Sequence, residues 1–176
     1  MPFKGTIMAI LISPMIVPLI ITSAGMFFVY SKIGLTHTYL GLILAHTALG
    51  TPFVVITVTA TLTGFDTNLI RASQSLGADT MRTFFKVIMP LILPGVISGA
   101  LFAFITSFDE VVVVMFVGSV QQITIPKQMW AGLRHETSPV ILCMATCLVF
   151  LSIALLTTVE LLRKRSERLR GIKLRN

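Results

Sequence analysis

The sequence predicts an all-α membrane protein with four transmembrane helices. Of 176 residues, 55% are hydrophobic and only 12% charged, a balance far from that of soluble domains. Four uncharged stretches, 5–31, 33–65, 87–108 and 137–159, each reach the roughly 20 residues needed to cross about 30 Å of hydrocarbon. Segments such as AILISPMIVPLIITSAGMFFVY show no polar face at helical spacing, which a bundle of soluble helices would need.

The first span, residues 6–30, carries Pro14 and Pro18. These should kink it, with Ser13 placed to satisfy backbone groups that the prolines free. Lys4 precedes it, but the apolar stretch is too long for a signal peptide. The second span, 38–63, holds His46, Thr47 and Thr51 beside Pro52. Such a histidine either lines a pathway or, more simply, is satisfied by a neighbouring backbone carbonyl.

Residues 64–90 then leave the hydrocarbon as two short helices around a tight turn. Asp66 or Thr67 caps the first, Gly77 ends it in the left-handed conformation, and Asp79 or Thr80 caps the second. Leu69, Ala72, Ser73 and Leu76 recur at three-four spacing beside Arg71 and Gln74, which reads either as a small apolar face that a large partner can bury or as a chance helical pattern in a short surface connector. Met81, Phe84, Phe85 and Ile88 are expected to face the chain's own bundle. Pro90 and Pro94 should mark the bend back into the membrane.

The third span, 91–117, contains the adjacent acids Asp109 and Glu110. At about 1.5 Å per residue Asp109 lies roughly 27 Å along from Leu91, yet apolar residues continue to Val117. The helix is therefore strongly tilted, or broken near 106–110 to build a polar site. A charge in the bilayer costs on the order of 3 kcal/mol unless it faces water or a partner. The two carboxylates read either as contacts for a cationic solute or as a cap and a pairing group. TIPKQMWAGLRHETSP, bracketed by Pro126 and Pro139, suits an outer interfacial helix with Trp130 at the headgroups. Cys143 and Cys147 lie one turn apart in the last span, 138–162. They read as small packing residues, since further metal ligands are lacking.

The net charge of +7 is concentrated in a tail, 163–176, that holds half of the Lys and Arg residues directly after a span. This is the positive-inside pattern. Counting back through four crossings puts both termini and the 64–90 loop in the cytoplasm, with 31–39 and 118–138 outside. The basic residues lack interleaved aromatics and sit where anionic headgroups attract them, which argues against nucleic acid and for membrane lipid. No GxxxxGK[ST] loop, HExxH or Cys/His metal spacing occurs. The chain offers no catalytic residues, no metal site and no nucleotide hydrolysis, so work against a gradient must draw on an ion or another subunit.

RASQSLGADTMRTFFKVIMPLILPG resembles the EAA loop of permease subunits of binding-protein-dependent ABC importers. Gly77 stands at the invariant glycine, Ala72 at the first alanine, and Met89 with Pro90 at the Leu-Pro; Arg71 replaces the usual Glu and Ser73 the second Ala. ISPMIVPLI, HTALGTPFVVITVTATLTGFD, FITSFDEVVVVMFVG and SPVILCMATCLVFLSIALL extend the likeness to the spermidine/putrescine type.

The resemblance implies a multi-pass protein of the bacterial inner membrane, importing a polyamine or related small cation. Its implied partners are a second permease subunit, a cytoplasmic ATPase dimer and a periplasmic or extracellular solute-binding protein. No cofactor is expected in this chain, because ATP-Mg would be bound by the ATPase. Arg71, Ala72, Ser73, Leu76, Gly77 and Ala78 would form the coupling element, and Asp109 with Glu110 would line the substrate pathway. Such permeases generally have six spans, so the four here correspond to the C-terminal part. Two other readings are a secondary transporter or channel fragment using Asp109 and Glu110, and a structural membrane subunit.

Overall fold

The computed structural model describes residues 3–135 and 139–169, and among these no strand occurs. The helices are α1 (Lys4–Ile16), α2 (Leu19–Ile33), α3 (Tyr39–Thr63), α4 (Asn68–Ser75), α5 (Thr80–Thr83), α6 (Met89–Phe108), α7 (Val112–Val117), α8 (Ile125–His135) and α9 (Pro139–Leu169), with a π turn, Phe84–Ile88, between α5 and α6. Glu136, Thr137, Ser138 and tail residues 170–176 lie outside the described residues.

The expected first span is two helices rather than one. Val17 turns extended (φ −75°, ψ 136°), the conformation that a following proline imposes, and Pro18 has no N–H to continue the ladder. Within α1, Ser13 Oγ donates to Ile10 O at 2.8 Å, the carbonyl that Pro14 leaves without its backbone donor. With 13 and 15 residues, neither α1 nor α2 can cross alone. Among the described residues, three helices are long and apolar enough by themselves: Tyr39–Thr63, Thr80–Phe108 and the Pro139–Thr158 part of α9; a fourth crossing there requires α1 and α2 together.

Neither Pro90 nor Pro94 ends the helix, which runs from Thr80 to Phe108. The π turn explains this. Met89 N donates to Phe84 O five residues back, and this wider turn just before Pro90 accommodates a ring that would strike the carbonyl four residues behind it.

The described residues divide into two compact units, one with residues up to Pro18 and His46–Ser107, the other with Leu19–Ala45 and residues from Phe108 onward. In the first, α3 and α6 pack through small residues. A Cβ on Gly95 or Gly99 would overlap Thr61 Oγ1 or Thr57 Oγ1 respectively, and one on Gly50 would stand 2.9 Å from Ala103 Cβ. Gly95, Gly99 and Ala103 fall at every fourth position of α6, the spacing that lets membrane helices approach backbone to backbone. Thr57 and Thr61 donate to Phe53 O and Thr57 O, both at 2.9 Å, so no hydroxyl is stranded in the contact.

In the second unit α7 packs on α2, burying Val113, Val114 and Val117. Ser23, on α2, is also buried and donates to Leu19 O at 2.7 Å. Gly34 (φ 72°) ends α2, with Leu35 N returning to Tyr30 O at 2.8 Å, a glycine-dependent C-cap. α8 packs on α9, where Ile141 lies too close to Gly132 for a Cβ there.

Candidate functional site

The loop between α3 and α6 is a locally determined helix–turn–helix. Asp66 Oδ1 accepts from Asn68 N at 2.9 Å; Thr67 makes no side-chain cap. At the other end of α4, Gly77 N donates to Gln74 O at 2.9 Å and Ala78 N to Ser73 O at 3.1 Å. This paired arrangement requires a left-handed residue at Gly77, and its φ is 80°. Asp79 Oδ1 then caps α5 by accepting from Arg82 N at 2.7 Å, a role that falls to it rather than to Thr80.

The sequence does not foretell how the two helices are tied. The Ser73 and Thr83 hydroxyls lie 2.8 Å apart, and Thr83 is 2% exposed. Ser73 is therefore an internal fastener rather than part of an outward face. Arg71, Ala72 and Leu76 are exposed and Ala78 half-buried, with Leu76 at the tip 88% exposed. The second helix also differs from expectation. Thr83 takes the buried position, while Met81, Phe84 and Phe85 are exposed because the Ser73 tie turns that face inward and sends the apolar side chains out.

The acid pair sits where the long helix ends. α6 stops at Phe108, and the six-residue α7 is too short to extend the crossing, so the expected span 91–117 is broken at 109–111. The two acids are not equivalent, and of the two readings the cap falls to Glu110. Glu110 is 6% exposed, and its Oε1 accepts from Val113 N at 2.8 Å. It satisfies one of the orphan N–H groups that open α7. Asp109, one residue earlier, is exposed. A single carboxylate is thereby presented outward by a neighbour that holds the backbone.

The far end of α7 is held by residues that no local pattern reveals. His37, left-handed at φ 61°, donates its backbone N–H to Val117 O at 2.8 Å, and its Nδ1 lies 3.1 Å from Gly118 O. These carbonyls belong to a helix C-terminus that would otherwise lack donors. The following turn is closed by Ser119 N to Gln122 Oε1 at 2.8 Å and by Lys127 Nζ on Ser119 O and Gln122 O at 3.0 and 3.2 Å. Lys127 is thus an internal brace.

His46 on α3 has its Nδ1 2.9 Å from the Ser107 hydroxyl of α6. Trp130 is exposed on α8. Cys143 and Cys147 are free and exposed on α9, rather than packed within this chain.

A family model described as a binding-protein-dependent transport system inner membrane component matches residues 2–169. The spermidine/putrescine transport system permease protein PotC of Haemophilus influenzae is 30% identical over 163 residues, covering 93% of this chain and 63% of that protein. PotC of Escherichia coli K12 is 30% identical over 164 residues, covering 93% and 61%. The putrescine transport system permease protein PotI of the same organism is 28% identical over 145 residues, covering 78% and 51%. The chain thus spans less than two thirds of the length of these curated relatives.

Proposed function

The chain belongs to the family of binding-protein-dependent transport system inner membrane components, and we propose that it is the membrane-spanning part of an ATP-driven importer of a polyamine or similar small cation. The α4 side of the loop, with its tip at Leu76, is the element an ATPase grips, and Asp109 is the carboxylate that meets the cation. Relatives named for spermidine and putrescine transport support the substrate class. The acid that is exposed agrees in charge, since a cationic amine is attracted by an unshared carboxylate. The partners under this reading are a second permease subunit, a solute-binding protein and a separate ATPase that binds ATP-Mg. Both chain ends and the loop face the cytoplasm.

The observation that carries the coupling role is the combination at the loop tip. Leu76 is 88% exposed on a hairpin that Gly77, Asp79 and the Ser73–Thr83 hydrogen bond make rigid. A force applied to such a tip is passed to the helix Thr80–Phe108 with which α5 is continuous, as a moving body rather than a yielding loop. Leu76→Asp should leave the chain folded, because the side chain packs on almost nothing within it. It should also reduce co-purification with the ATPase at least tenfold and abolish uptake. Undiminished co-purification would remove the loop from the coupling role.

A further inference from the structure

At the foot of the helix Thr80–Phe108, an open groove of about 380 Å³ is lined by Gly77, Asp79, Met81, Arg82, Phe85 and Lys86. Two chemistries share it. Met81 and Phe85, one turn apart, are 67% and 59% exposed, and Arg82 and Lys86, also one turn apart, are exposed as well. Asp79, the acid in the lining, is turned to the Arg82 backbone N–H at 2.7 Å, which leaves the two cations in excess.

Depth identifies what the groove meets. Residues 88–108 span about 31 Å at 1.5 Å per residue, close to the roughly 30 Å of bilayer hydrocarbon. Lys86 then stands about 3 Å beyond the hydrocarbon edge and Arg82 about 9 Å, against a headgroup layer about 5 to 8 Å thick on each side. Both long side chains reach that layer, and Phe85 stands between them at about 4.5 Å beyond the edge.

We infer that this groove binds the phosphate headgroup of an anionic phospholipid, with Arg82 and Lys86 on the phosphate oxygens and Phe85 beside them at headgroup level. The planar guanidinium grips two phosphate oxygens and the ammonium supplies a point charge, while anionic headgroups draw basic residues at this level. The inference rests on Thr80–Phe108 crossing the membrane and not on transport. It leaves the exposed tip at Leu76 for a protein partner.

The full chain carrying Phe85→Trp and Trp130→Phe has a single indole, placed in the groove. In phosphatidylcholine vesicles doped with brominated phosphatidylglycerol or brominated phosphatidylcholine, its fluorescence should report a preference for phosphatidylglycerol on the order of tenfold. Adding Arg82→Gln and Lys86→Gln should bring the two lipids level. Equal quenching by both lipids in the reporter chain overturns the inference whether or not the charge variant folds, as does a preference that survives loss of both cations. A preference that vanishes when the partner ATPase is added assigns the groove to protein docking and overturns it too. The assay needs neither ATP nor uptake, so failure of the transport reading leaves its outcome distinct.

Discussion

Single residues differ sharply in what they tolerate, and glycines show it best. A Cβ at Gly99 would overlap Thr57 Oγ1 and stand 2.7 Å from Val54 Cα, whereas nothing lies within 4 Å of one at Gly25. Gly99→Leu should therefore lower the thermal midpoint in detergent, with an overpacking cost of about 1–3 kcal/mol. Gly25→Ala should hold or raise it, since a helical glycine costs roughly 0.5–1 kcal/mol relative to alanine. The acids divide in the same way. Glu110→Ala removes the α7 cap and should cost about 1 kcal/mol, while Glu110→Gln keeps an acceptor oxygen and most of the stability. Asp109→Asn should leave the melting curve unchanged and cut polyamine uptake at least tenfold in an assembled transporter whose ATPase activity is intact. Unimpaired uptake would release Asp109 from the pathway.

At the scale of elements, the α4–α5 hairpin is a unit with one fastener and one pivot. Ser73→Ala leaves the buried Thr83 hydroxyl without its partner and should cost about 1–3 kcal/mol. Ser73→Ala with Thr83→Val removes both groups and should recover much of that loss, so a double-mutant cycle reads the coupling directly. The pivot is conformational: Gly77→Val puts a β-branched side chain at φ 80° and should disrupt the turn and ATPase binding, whereas Gly77→Asn should retain both, because asparagine accepts left-handed geometry. The hairpin's ends were legible in the sequence because caps are short-range chemistry: Asp66, Gly77 and Asp79 each act within five residues. Its faces were not. Spacing alone assigned Met81, Phe84 and Phe85 inward, and the Ser73–Thr83 contact, set by the fold of the turn, reversed that.

For the whole molecule, the count of crossings depends on α1 and α2, since neither is long enough alone. If together they cross once, four crossings place both ends on one face; if they do not, three place them on opposite faces. In a Cys143→Ser, Cys147→Ser background, Lys4→Cys and Lys173→Cys should be labelled by an impermeant maleimide from the same, cytoplasmic side. Composition, hydropathy and the basic tail sufficed by themselves to determine a helical membrane protein, the extent of its apolar stretches and the chemistry of its turns, all of which are properties of consecutive residues. Only the tertiary structure decided that Asp109 faces out while Glu110 is spent on a cap, that His46 pairs with Ser107, and that His37 holds the end of α7. The reason is that lipid is as apolar as a packed core, so no hydrophobic periodicity marks which side of a spanning helix will meet another. Partners 61 and 81 residues apart are chosen by which helices pack together, a relation that no single stretch of chain contains.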